Sequence, residues 1–222
     1  MNKNFPFFCS WSGGKDSCLA LYYALQNGGE ARQLLTMLVN NGERSRSHGL
    51  DTKILKKQAK LLKIPLLTIN TTWDNYEYNF IEILNEFKNN EITHGVFGDI
   101  DLEEHREWIE KVCDKAGIKP HLPLWQMKRE KLLTNFIELG FKTKIVAVKE
   151  EDLSADYLNK TLNKNILEEF KKENIDISGE NGEYHTVVYD GPIFEKPLEL
   201  SAGGQYRKKG VCFQNYKLKE GD

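Results

Sequence analysis

The sequence predicts an α/β protein: a parallel sheet with helices on both faces, followed by a smaller C-terminal α+β lobe. Two observations carry the prediction. Short apolar runs alternate with amphipathic stretches of helical length through the first half of this 222-residue chain, a pattern that implies right-handed crossovers between parallel strands. The first apolar run (Phe5, Phe7, Phe8) also meets the first helical stretch (Leu19 to Leu25) through the glycine bend Cys9-Ser10-Trp11-Ser12-Gly13-Gly14-Lys15-Asp16-Ser17.

In order, the first helix stops at Asn27-Gly28-Gly29, and residues 33–39 (QLLTMLV) read as a buried strand. Residues 52–62 carry Ile54, Leu55, Ala59, Leu61 and Leu62 on one face and lysines on the other, an amphipathic helix. Residues 66–69 form a third strand, 76–87 a helix, 93–97 a fourth strand and 102–116 a helix ended by Gly117. The proline-bearing stretch 118–125 is expected to connect two lobes, giving a nucleotide domain over 1–122 and a second domain over 123–222. Beyond it we expect helices over 129–139 and 157–172, a strand over 144–148, a strand over 187–189, and short strands from 198 to 219. The tail patch Arg207, Lys208 and Lys209 reads as solvated.

Composition narrows the function classes. Lys and Arg number 31 against 33 Asp and Glu, so no global basic field favours nucleic acid as a partner. No apolar run reaches the roughly 20 residues of a membrane span, and Gly13-Gly14-Lys15 interrupts too early for a secretory segment. Four cysteines (Cys9, Cys18, Cys113, Cys212) lie scattered without C-x-x-C spacing, which points to free thiols and a cytoplasmic location. Sulfur transfer onto tRNA, with its paired cysteines, is thereby disfavoured.

Paired glycines let the backbone turn tightly. The unpaired N–H groups and positive dipole end of the following helix then make an anion site. Lys15 adds a charge, Ser12 and Ser17 add hydroxyls, and Asp16 offers oxygen to a metal ion. This reads as a phosphate cradle, although a plain capped turn accounts for Ser12 or Asp16 alone. It is not the Walker loop G-x-x-x-x-G-K-[ST]. Ser12-Gly13-Gly14-Lys15-Asp16-Ser17 instead resembles the PP-loop of the ATP pyrophosphatases, which cut ATP between its α and β phosphates.

Two further loops offer chemistry. Residues 40–49 follow a strand's C-terminal end, where Arg44, Arg46 and His48 meet phosphate or carboxylate, or only water. Gly98 and Asp99 end the fourth strand on the same rim; Asp99 is a candidate for Mg²⁺ or ribose. His105 has no histidine partner at i±4, so no zinc site is expected. The second motif, Ser178-Gly179-Glu180-Asn181-Gly182-Glu183-Tyr184-His185-Thr186, brings two carboxylates onto one loop. They could orient ammonia, hold a metal or remove a proton, or be solvated glutamates of an ordinary hairpin.

With both motifs in view, the chain resembles the diphthine–ammonia ligase family of ATP pyrophosphatases. The resemblance runs from Ser12–Ser17 through Pro123-Leu124-Trp125 to Gly179-Glu180-Asn181-Gly182-Glu183-Tyr184. It implies an adenine nucleotide α-hydrolase-like, Rossmann-like sheet joined to a smaller lobe bearing the second motif. It also implies amidation of diphthine, a modified histidine on translation elongation factor 2, by ATP and ammonia with release of AMP and pyrophosphate. On this reading Lys15, Asp16, Glu180 and Glu183 are catalytic, Ser12 to Ser17 bind the nucleotide, and Asp16 and Asp99 hold Mg²⁺. Arg44, His48, Gly98, Asp99, Asn181 and His185 fall on the substrate side; Asn181 stands in place of a glycine and His185 in place of a glutamate. Another small-molecule or RNA acceptor is the alternative, and a homo-oligomer is left open.

Overall fold

The computed structural model describes residues 5–38 and 49–219. The chain divides into two compact units, Met1–Ser12 with Asp16–Arg46 and Lys63–Met127, and Gly13–Lys15 with Ser47–Leu62 and Lys128–Asp222.

The first unit is built on a five-stranded, all-parallel sheet of order β3-β2-β1-β4-β5. Its strands are β1 (Phe5–Ser10), β2 (Gly29–Leu38), β3 (Leu66–Asn70), β4 (His94–Val96) and β5 (Lys119–His121). Phe7 and Phe8, neighbours on β1 and hence on opposite faces, are both wholly buried, as a sheet covered on both sides requires. Helices α3 (Tyr76–Asn89) and α4 (Glu103–Ala116) cover one face, packing Phe80, Leu84, Phe87, Ile109 and Val112 with Phe8, Leu35 and Met37. The chain winds outward from β1 through β2 to β3, then restarts on β1's other side with β4. The C-terminal ends of β1 and β4 therefore flank a topological switch point, where open α/β sheets bind ligands.

Here the structure departs from the sequence reading. Residues 119–121 are not connection but a fifth strand paired in parallel with β4, Pro120 lying opposite Gly95. Proline is tolerated because β5 is an edge strand, with no outer neighbour awaiting its N–H.

The second unit carries an antiparallel sheet of order β7-β6-β9-β8, made of β6 (Lys142–Lys149), β7 (Tyr184–Asp190), β8 (Leu200–Lys208) and β9 (Val211–Leu218). Helices α2 (Thr52–Leu62), α5 (Arg129–Glu138) and α6 (Lys164–Lys172) belong to it. Its core gathers Leu133, Ile145, Val148, Tyr157, Leu162, Ile166, Phe170, Tyr184 and Cys212.

The helix expected over 157–172 starts only at Lys164. A single 3₁₀ turn (Ala155–Tyr157) comes first. The backbone then runs extended beside β6, with Ile145 N–H bonding Lys160 O at 3.0 Å and Leu162 N–H bonding Thr143 O at 2.9 Å. Asn163 restarts the helix, its side chain accepting from Ile166 N–H at 3.1 Å. Apolar spacing alone could not reveal that β6 competes for these backbone groups. The tail likewise forms two long strands rather than several short ones, β8 and β9 joined at Lys209-Gly210.

Candidate active site

The bend after β1 is fixed from below. Trp11 N–H donates to Leu35 O at 2.8 Å, and the buried Thr36 hydroxyl donates to Trp11 O at 2.6 Å. Past Ser12 the backbone passes through left-handed space at Gly13 (φ +79°), where a Cβ would lie 2.6 Å from Gln58 Oε1 and 2.8 Å from Leu55 Cδ2. Conformation and space both demand glycine. Helix α1 (Lys15–Gln26) starts immediately, so amides without intrahelical partners and the dipole's positive end gather at the bend. The hydroxyls of Ser12 and Ser17 lie 3.1 Å apart across it. Gly98 closes on the same place: a Cβ there would meet Asp16 C and Ser17 N, each at 2.8 Å. Asp16 is half-buried. Asp99, the next residue, pairs with His105 Nδ1 at 3.1 Å.

The second motif is organised by a residue outside it. The Asp176 carboxylate accepts from Arg129 Nη1 at 2.6 Å, from Ser178 N–H and Oγ at 3.1 Å each, and from Glu180 N–H at 2.9 Å. Gly182 N–H bonds Gly179 O at 3.1 Å, so the turn's centre is Glu180-Asn181, one residue earlier than the Asn181-Gly182 pair suggests. Nor is Glu183 a solvated glutamate. It is 7% exposed, and its two carboxylate oxygens accept from Asn181 N–H and Nδ2, both at 3.1 Å. Glu180 stays half-buried on the turn.

Within the second unit, Gly13–Lys15 meets β7, the strand that leaves this motif. Val188 N–H bonds Gly13 O at 3.0 Å. Gln58, wholly buried on α2, donates to both Gly13 O (3.0 Å) and Val188 O (2.7 Å). Lys15 N–H donates to Thr186 Oγ1 at 3.1 Å, so one amide assigned to the anion site is already engaged. The Lys15 side chain is 5% exposed, its Nζ lying 5.6 Å from the centre of the Tyr184 ring.

Of the remaining sequence candidates, half-buried His185 stands second in β7 opposite Ala147. Arg44 and His48 lie outside the described residues. Pro123-Leu124-Trp125 folds inside the first unit, with Arg106 5.4 Å over the Trp125 ring. Sequence reasoning missed Gln58, Asp176 and Arg129, and gave Thr186, the last residue of the second motif, no role. Only Gln58 left a signal: it interrupts the apolar face of α2 one turn after Ile54. All four cysteines are buried and free. Burial pushes the Cys9, Cys18 and Cys113 thiols well up, Cys113 to about 12, which makes them poor nucleophiles. Among the described residues no three His, Cys, Asp or Glu side chains cluster to hold a metal ion, and no helix is long and apolar enough to cross a membrane.

A parallel sheet whose first strand turns through Ser-Gly-Gly-Lys-Asp-Ser into a helix N-terminus defines a nucleotide-binding α/β protein of the PP-loop class. The chain belongs to the diphthamide synthase family: the model of the family's N-terminal domain matches residues 7–120, and that of its C-terminal domain residues 128–219. Curated relatives agree. The mouse diphthine–ammonia ligase is 29% identical over 217 residues, covering 86% of this chain and 81% of the mouse protein. The human enzyme is 27% identical, covering 84% and 79%. The fission yeast enzyme is 29% identical over 86% of this chain, which spans only 35% of that longer protein. A solved chain from Methanocaldococcus jannaschii, described as a predicted tRNA methyltransferase subunit, aligns at TM-score 0.46 and 16% identity, over 87% of this chain and all of that one.

Proposed function

We propose that this chain is an ATP-dependent carboxylate–ammonia ligase of the diphthine–ammonia ligase type, releasing AMP and pyrophosphate. The observation that supports the reading lies within the second unit, where Gly13–Lys15 meets the strand leaving the second motif: Lys15 N–H donates to Thr186 Oγ1 and Lys15 Nζ lies over Tyr184, the residue after Glu183. Residues 1–122 are assigned to the ATP side and 123–222 to the ammonia side.

A carboxylate does not react with ammonia directly, because oxide is too poor a leaving group. In the first step a carboxylate oxygen attacks the α-phosphorus of ATP. The bond to the bridging oxygen breaks, and pyrophosphate departs with the electron pair. Charge grows on that pyrophosphate, and the α1 N-terminus, the Ser12 and Ser17 hydroxyls and Lys15 are the groups proposed to meet it; such catalysis is mostly placement and electrostatics. In the second step the ammonia lone pair attacks the acyl carbon and AMP leaves. The nascent ammonium loses a proton, for which Glu180 is the proposed acceptor. Glu183, anchored by Asn181, holds the loop in shape beside it.

Mg²⁺ takes one or two carboxylates together with phosphate oxygens. Asp16 and Asp99, on segments brought together at Gly98, fit an ion of that kind arriving with the nucleotide, where it would neutralise phosphate charge. Arg44, His48, Asn181 and His185 are assigned to the acceptor side. Diphthine on elongation factor 2 is the acceptor this reading favours, and a cytoplasmic location accompanies it.

Incubation with ATP, Mg²⁺ and ammonium, followed by mass spectrometry, tests the proposal. AMP and an amide should appear in equal amounts with a diphthine-bearing acceptor. AMP without any amide would defeat it.

A further inference from the structure

A cavity of about 530 Å³ opens in the first unit beside the switch point of the sheet, reaching Ser10 at the end of β1 and Asp99 just past β4. We propose that this cavity is a subsite for a quaternary ammonium group, walled by Trp73, Tyr76, Phe80 and Trp108 with Glu77 and Asp99 at its margin.

The walls are aromatic and bent. Tyr76 and Phe80 stack nearly parallel with ring centres 6.3 Å apart, while Trp108 tilts by 46° to Tyr76 and 50° to Phe80. Trp73 extends the stack outward, 6.1 Å from Tyr76, and is itself 56% exposed. Much of the wall is also core, because Tyr76, Phe80 and Trp108 pack into the cluster under α3 and α4. Trp73 differs in being largely exposed at the lip of the cavity, where its ring adds an accessible aromatic face.

The charge at the margin is negative. Hydrogen bonds from Lys111 (2.7 Å) and Lys115 (3.0 Å) hold Glu77 ionised, its pKa lowered to about 2. Those lysines offset Glu77's charge, and Asp99 is paired with the His105 imidazole and assigned above to Mg²⁺, so the ring faces are the main attraction for a cation. A primary ammonium would need three acceptors, and the faces of Trp, Tyr and Phe rings supply none. A quaternary ammonium needs none and is drawn to aromatic faces. An anion would meet carboxylates.

For its link to the reaction, the subsite rests on the ligase reading above. Diphthine carries a trimethylammonium on the carbon that bears its carboxylate. Binding that group beside Ser10, two residues before Ser12, would hold the carboxylate at the end of the sheet where the phosphate bend lies.

Calorimetric titration of the whole chain tests this with the trimethylated betaine of alanine. Its control is 2,3,3-trimethylbutanoate, in which carbon replaces the nitrogen. The betaine should bind about tenfold more tightly than the control, keep its affinity in saturating α,β-methylene-ATP, and weaken about tenfold in Trp73→Leu. That variant should melt like the parent, since Trp73 is exposed. Equal binding of the control, or unchanged binding by Trp73→Leu, would overturn the subsite. Mutual exclusion with the ATP analogue would too, for then the cavity takes the base. If the betaine binds as stated while no carboxylate is amidated, the ligase reading fails and the subsite stands. If amidation proceeds and Trp73→Leu leaves the acceptor KM unchanged, the subsite fails and the ligase stands.

Discussion

The bend at Ser12–Ser17 and the loop at Asp176–Glu183 both present polar groups at a turn, but they are held by opposite means. Backbone chemistry makes the first: a left-handed glycine, a helix start, and the Gly13 carbonyl tied down by Gln58 and Val188 N–H. Side-chain chemistry makes the second, where four donors from Arg129, Ser178 and Glu180 converge on one carboxylate. A backbone site should lose function while keeping its shape when a side chain is cut. A site strung on one carboxylate should lose its shape.

The largest expected effect separates the two directly. Lys15→Ala should lower ATP-dependent AMP formation on the order of 10²–10³-fold, by analogy with loss of one preorganised donor, with circular dichroism unchanged. A full-rate variant would break the assignment of charge stabilisation to this bend. Asp176→Ala should cost about 3 kcal/mol in urea unfolding, because it removes the carboxylate bonded by a half-buried guanidinium and several loop donors. Asp176→Asn should recover part of this, and a loss under 1 kcal/mol for the alanine variant would show that the loop holds itself. Smaller again is Gln58→Leu, expected to cost about 2 kcal/mol because Val188 O loses its side-chain donor in a buried setting. AMP formation should fall less than in Lys15→Ala, Gly13 O still being bonded by Val188 N–H.

The smallest effect serves as a control away from both loops. His94 opens β4 and His121 closes β5, with ring centres 5.0 Å apart. Burial, then His94 and Lys119, lowers the His121 pKa to about 4; burial, then Lys119, lowers that of His94 as well. Between about pH 6.5 and 4 the unfolded chain therefore binds more protons than the folded one. Stability is complete above that window and falls as pH drops through it. His121→Phe should flatten this acid limb in melts from pH 7 to 4. An unchanged limb would place the acid sensitivity elsewhere, with the carboxylates of the two loops first to be tested.

This contrast also explains what could be read in advance. Local patterns announced the first loop: glycines after an apolar run, a lysine and serines before a helix. The helix over 52–62 was equally legible from its apolar face. Asp176 sits in a polar stretch with no periodicity, and its partner Arg129 lies 47 positions away, so nothing local could pair them. The same applies to residues 157–163, which had helical spacing but were taken by β6, and to Pro120, which read as a linker until β4 offered it an edge.

By itself the sequence determined the strand–bend–helix at Ser12–Ser17, the alternation that makes a parallel sheet, and the glutamate-bearing motif with its family likeness. These depend on neighbours within a turn or two, where backbone sterics and side-chain periodicity act. The tertiary structure alone decided that Lys15 lies over Tyr184, that Gln58 clamps Gly13 to β7, and that Asp176 shapes the second loop. The Lys15, Gln58–Gly13 and Arg129–Asp176 contacts join residues 45 to 169 positions apart, and a pairing at that range is chosen by packing the whole chain rather than by any stretch of it.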